Sequence, residues 1–121
     1  MSAVTDELDA RLRPIAELCE GEVSFRKEGW RELILMKALR LVASGAQHKI
    51  DAILCLNHDN PTYPTKLYLA QPVGSDLNWN ETVYLLDRSW HTFSWSNVSP
   101  DQPWFDILAA HLRAIDRGGK P

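Results

Sequence analysis

The sequence predicts an α+β domain: an N-terminal helix, an antiparallel meander of three to four strands and a C-terminal helix. Three observations point that way. Val4, Leu8, Leu12, Ile15 and Cys19 recur at helical spacing near the start. Ile50, Ala52, Leu54 and Leu56 alternate with Asp51, Ile53 and Cys55, the pattern of a strand with one face fully buried. Trp104, Ile107, Leu108, His111, Leu112 and Ile115 mark one face of a second helix near the end. Helices set apart from an antiparallel sheet define the α+β class.

The first helix is expected over residues 4–20. Asp6, Glu7 and Asp9 put negative charge at its N-terminus, and Gly21 is the expected stop. Pro14 removes a hydrogen bond, so the helix either bends there or restarts; we expect one kinked helix. Val23–Arg26 reads as a short strand and Lys27-Glu28-Gly29 as a turn. The run 30–42, WRELILMKALRLV, is ambiguous, because it holds good helix formers but ends in a Ser44-Gly45-Ala46 turn. We assign it to strand, since a segment as apolar as 50–56 needs a neighbour on each edge.

Asn57–Thr65, NHDNPTYPT, is turn chemistry, with each proline holding its predecessor extended. Leu67 and Leu69 then alternate with Tyr68 in a third strand, closed by Pro72 and Gly74. Ser75–Asn80 reads as a polar loop around Trp79, Thr82–Leu86 as a short strand, and Asp87-Arg88-Ser89 as a turn. Trp90–Trp95 is a last strand or an extended segment lying on the core. Ser99-Pro100-Asp101-Gln102 carries a helix-start signature, Pro103 places the helix at or just after itself, and Gly118-Gly119 ends it. Residues 4–116 form the expected core of a single domain, with 117–121 as a flexible tail.

The chain has 121 residues, 45% of them hydrophobic, and a formal net charge of −3, which suits one packed domain and not a disordered tail. No basic cluster offers phosphate neutralisation, so nucleic-acid binding is not expected. No apolar run approaches the ~20 residues of a membrane span, and the acidic N-terminus lacks a signal-peptide core. A cytoplasmic protein is the expectation. Cys19 and Cys55 with four scattered histidines give no metal-ligand spacing, and no cofactor is called for.

The element order, His48-Lys49-Ile50-Asp51 with the apolar run Ala52–Leu56, and the Thr62-Tyr63-Pro64 turn resemble the ubiquitin-conjugating-enzyme-like (UBC-like) family and its inactive RWD-type relatives. A second block, Asp87–Ser94 followed by Trp104, Asp106 and Leu108, is similar to bacterial UBC-like proteins of ubiquitin-like conjugation operons. The resemblance spans roughly residues 20–115 and implies a UBC-like fold. It further implies a ubiquitin-like modifier and an activating enzyme as partners, with a JAB-type peptidase in the same operon; some such operons act in phage defence. Tyr63 and Pro64 then form the structural motif. Active members of the family carry a His-Pro-Asn motif and a cysteine after the Tyr-Pro segment. Here neither occurs, and Asn78-Trp79-Asn80 is the nearest polar substitute.

Candidate chemistry is therefore spread over several residues. Cys55 is the candidate thiol nucleophile, against the ordinary reading of a small apolar side chain in a strand. Alternation places it opposite the more apolar face, which leaves partial exposure open; the buried, structural reading is the one we expect. Ser89 and Ser94 bracket His91, a base that could activate either to form an ester. Asn78, Trp79, Asn80, Trp90 and Trp95 are candidate contact residues, because exposed tryptophan in 77–97 would mark a binding hot spot. Cys19 and His111 are read as packing, and His58 with Asp59 as turn polarity. Two functions remain in view: a UBC-like component that receives or positions a modifier, and an inactive adaptor that binds the activating enzyme or modifier without an adduct. A weaker third is an unrelated small α+β binding domain.

Overall fold

The computed structural model describes residues 3–43, 45–58, 62–73, 79–93, 95 and 98–116. Its elements are α1 (Ala3–Ala16), β1 (Val23–Glu28), β2 (Arg31–Ala43), β3 (Ala46–Cys55), β4 (Lys66–Leu69), β5 (Trp79–Leu85), β6 (Arg88–Phe93) and α2 (Trp104–Asp116). One six-stranded sheet takes the order β1-β2-β3-β4-β6-β5, and every neighbouring pair is antiparallel. This overturns the expected UBC-like arrangement of three to four meandering strands between two helices. The sheet dominates, and β6, not β5, lies beside β4. The flexible tail expected over 117–121 lies outside the described residues.

Run 30–42 is strand, because both its faces are used. Ile34 and Met36 point into the same core as the helices, while Leu33 lies in a second apolar cluster. A helix would have placed these residues around a cylinder instead of on two opposed faces. Nine register pairs, from Leu33↔Cys55 to Ala43↔Ala46, join it to β3, interrupted at one bulge where Lys37 and Ala38 together face Asp51. Ala38 adopts φ 54° there, and its N–H donates to Asp51 Oδ1 at 2.9 Å.

α1 stops four residues short of expectation. After Pro14 the chain tightens, with Leu18 N–H bonding Ile15 O at 2.9 Å and Cys19 N–H bonding Ala16 O at 3.1 Å. Residues 18–21 then run beside β2, through Cys19 opposite Leu39 and Gly21 N–H on Lys37 O at 3.0 Å. Gly21 is not a helix stop. A Cβ on it would stand 2.6 Å from Lys37 Cβ, so close approach of two backbones requires glycine. Arg40 donates to the Glu17 and Leu18 carbonyls, holding the segment after α1 against β2.

Both helices cover the same sheet face. Leu12 and Ile15 of α1 and Ile107, Leu108, Ala114 and Ile115 of α2 pack on Ile34, Met36, Leu39, Leu54, Leu67 and Leu69. The opposite face carries Leu33, Ile53, Cys55, Tyr68, Leu85 and Trp90, all nearly inaccessible, with no helix upon it among the described residues. The β5–β6 hairpin covers it instead. β4 ends at Leu69, opposite His91, so the hairpin tip continues without a ladder partner on β4. The tip crosses to Asp51 of β3, where Arg88 donates to Oδ2 at 3.0 Å. It then reaches Glu28 of β1, whose Oε2 accepts Leu86 N–H at 2.7 Å. Leu86 and Asp87 turn the tip with φ of 49° and 65°. The sheet is thus curled over its own free face.

Ser99, expected to cap the last helix, makes the turn before it. Its Oγ accepts Asp101 N–H at 3.1 Å, and Gln102 Nε2 donates to its carbonyl at 2.9 Å. The first helical bonds run from Asp106 and Ile107 to Pro103 O, because Pro103 lacks the donor an earlier turn would need.

Candidate functional site

Cys55 ends β3, between Leu33 of β2 and Lys66 of β4 in register. Its relative exposure is 0%, which agrees with the structural reading and excludes the partial exposure that alternation left open. Alternation put Cys55 on the less apolar face correctly, but the curled hairpin buries that face too. Trp90 and Leu85 of the hairpin share its cluster. A thiol acting as acceptor needs contact with solvent and a large partner. In this closed arrangement Cys55 has neither, although its Sγ lies 3.9 Å from Asn57 Oδ1.

Ser89 and His91 occur on one face of β6, opposite Tyr84 and Thr82 of β5. The side chain that meets the imidazole is Thr82, with Oγ1 at 3.3 Å from His91 Nδ1. The sequence reading missed Thr82, since nothing local shows that it lands opposite His91. Among the described residues no carboxylate orients the ring by an ion pair or a hydrogen bond. Ser94 and Asn78 lie outside the described residues, and Asn80 contributes backbone to β5.

The tryptophans serve mainly as packing. Trp90 is 0% exposed and donates Nε1–H to Leu85 O at 2.8 Å, inside its own hairpin. Trp79 meets Phe93 edge-on at 5.2 Å, and Trp95 packs half-buried on the main core. The exposed tryptophan is Trp30, at 51%, in the β1–β2 turn and outside the expected 77–97 window. Tyr84, at 66%, is the other large exposed aromatic.

A groove of about 880 Å³ opens where α1, the far ends of β1 to β3, and the start of α2 meet. Its wall is a stack of three side chains. The Arg11 guanidinium lies 3.5 Å over the Trp104 ring, and Phe25 stacks on Trp104 with centroids 5.7 Å apart and planes at 9°. Such stacking fixes the guanidinium plane and leaves its N–H edges available. Lys27 faces Glu32 across the β1–β2 ladder in the same groove. Among the described residues Arg11 has no carboxylate within ion-pair distance.

Two clamps shape the opposite wall. Asn57 accepts Glu32 N–H on Oδ1 and donates Nδ2–H to Trp30 O, each at 2.7 Å, tying the β1–β2 turn to the end of β3. His58 Nδ1 meets Tyr63 O at 2.9 Å, and His58 N–H reaches Pro64 O at 3.0 Å. A carbonyl only accepts, so Nδ1 carries the proton. The Tyr63-Pro64 motif thus has a structural part: its carbonyls bond His58 and close the base of the β3–β4 connection.

Among the described residues no three of His, Cys, Asp and Glu gather to hold a metal ion. No helix among them is long and apolar enough to cross a membrane. No protein-family model matches the chain, and no curated protein or solved structure is significantly similar to it.

Proposed function

We propose that this protein is a non-catalytic adaptor that docks a protein partner in the Arg11–Trp104 groove. The observation that carries this reading is the burial of Cys55 beneath the hairpin: a 0% exposed thiol is not available to accept an acyl group. The groove offers what a contact surface needs, an aromatic floor with a stacked arginine and an exposed Trp30 beside its Asn57 clamp.

The partner set is that of a bacterial ubiquitin-like conjugation pathway in the cytoplasm: the modifier, its activating enzyme and the associated JAB-type peptidase. Support comes from the two residue blocks, His48–Leu56 with Thr62-Tyr63-Pro64, and Asp87–Ser94. The curled sheet adds nothing to it. The covalent role keeps one supporting observation, the surface placement of Ser89 and His91 on one face of β6 beside Thr82.

The test incubates the protein with ATP, modifier and activating enzyme, followed by gels with and without thiol and a parallel binding measurement. The expected result is no adduct, with binding that weakens about tenfold in Arg11→Ala. A reducible adduct lost in Cys55→Ala, or a hydroxylamine-labile one lost in Ser89→Ala, would make the protein a carrier. Binding to neither partner would end the pathway assignment.

A further inference from the structure

We infer that the β5–β6 tip, residues 83–90, is a strap that opens and closes as a unit over the inner sheet face. Two polar ties hold it shut, Glu28 Oε2 to Leu86 N–H at 2.7 Å and Asp51 Oδ2 to Arg88 at 3.0 Å. This goes beyond the docking groove, which lies on the helix-covered side of the sheet.

Three features define the strap. Within the hairpin, six register pairs run from Trp79↔Phe93 to Leu85↔Arg88, whereas among the described residues two register pairs, Tyr68↔Thr92 and Leu69↔His91, join it to β4, with the Thr92 hydroxyl on Leu67 O and Lys66 beside Glu81. Both β4 pairs lie behind the tip, so the tip can lift without breaking a ladder. The Trp90 Nε1–H bond to Leu85 O is internal to the tip and travels with it. Those fastenings to β1 and β3 are made by carboxylates, not by sheet pairing, and are separable from the ladder.

Beneath the strap lie Leu33, Ile53, Cys55 and Tyr68. The apolar contact of Trp90 and Leu85 with them keeps the open form rare, and the two carboxylates set how rare. Local opening of such a unit occurs below the free energy of global unfolding. Cys55 serves as the reporter, because its thiol meets solvent only when the strap lifts.

The experiment uses the full chain with Cys19→Ser, so that Cys55 is the one reactive thiol. Its thiolate attacks the S–S bond of a water-soluble aryl disulfide. A mixed disulfide forms, the aryl thiolate leaves and is read by its absorbance, and the thiol proton goes to buffer. The expected result is a slow reaction whose rate is flat in low urea, well before far-UV circular dichroism changes. Glu28→Ala with Arg88→Ala raises that rate about tenfold or more, with a smaller change in the urea midpoint. Glu28→Gln, which keeps an uncharged acceptor, gives an intermediate rise and serves if the double variant does not fold. A rate that follows global unfolding from the first addition of urea would overturn the strap. So would variants that shift rate and midpoint in parallel.

Discussion

His111 Nε2 of α2 stands 3.0 Å from Thr65 Oγ1, and the same hydroxyl lies 3.0 Å from the Val98 carbonyl. The hydroxyl has one proton, and Val98 O can only accept. Thr65 therefore donates to Val98 and accepts Nε2–H from His111, which leaves Nδ1 unprotonated. Nδ1 is buried with no partner among the described residues. Three separate segments, the approach to β4, the approach to α2, and α2 itself, meet at this one hydroxyl.

Acid should weaken the fold through His111. Burial first, and Lys66 second, push its pKa down from 6.5 to about 3. The unfolded chain then binds a proton that the folded chain refuses between those values, so stability rises with pH across that window. Unfolding free energy should fall by about 2 kcal/mol between pH 6.5 and pH 5 from this group. Urea titrations over that range should show the loss, and His111→Leu should flatten it while costing about 1 kcal/mol at pH 7.

Gly21→Ala should destabilise by about 1–3 kcal/mol, because the added methyl meets Lys37 Cβ and Lys37 O, at 2.6 and 3.0 Å. Lys37 sits in β2 and its backbone cannot retreat without lengthening Gly21 N–H to Lys37 O. Thermal unfolding of the variant measures it. A melting temperature equal to that of the parent would show that residues 18–21 are not held against β2.

Asp51 joins bulge to strap. Partial burial alone would raise its pKa, but the Ala38 N–H, the Arg88 guanidinium and Lys37 outweigh it and hold the carboxyl below its usual value. The stability this confers is present above the unfolded pKa and disappears as pH falls through the folded one. Asp51→Ala leaves Ala38 N–H and Arg88 without their acceptor and should cost about 1–3 kcal/mol at pH 7. Asp51→Asn, retaining one acceptor oxygen, should cost less, as chemical denaturation at pH 7 will measure.

The hairpin turn is not optimal. Leu86 and Asp87 both take positive φ, the conformation of a two-residue turn that favours Asn-Gly. Asp87→Gly should raise stability by about 0.5–1 kcal/mol, read from the urea midpoint. An unchanged or lower midpoint would mean that the Asp87 side chain contributes more than its backbone strain removes.

Local pattern made several elements legible in the sequence. The alternation from Ile50 to Leu56 and the face from Trp104 to Ile115 mark a strand and a helix because each element's period is written into consecutive residues. The ambiguous run 30–42 could be settled only by asking what a neighbouring apolar strand requires. Gly21 was misread because a helix stop and a close backbone approach leave the same residue in the chain. The Arg11–Trp104 groove was not legible at all: Arg11, Phe25 and Trp104 come from three elements, and Arg11 lies off the apolar stripe of α1.

The sequence by itself determined which residues point to opposite faces of the central strand, since a side-chain period of two requires nothing beyond the backbone. Tertiary structure alone decided that both faces are buried. One is covered by two helices. The other is closed by a hairpin whose fastening residues, Glu28 and Leu86, are far apart in the chain. Alternation carries no information about what will cover a face, because coverage depends on the curl of the sheet and on contacts between distant segments. That is why alternation left partial exposure of Cys55 open, and only the curled sheet shows it sealed inside.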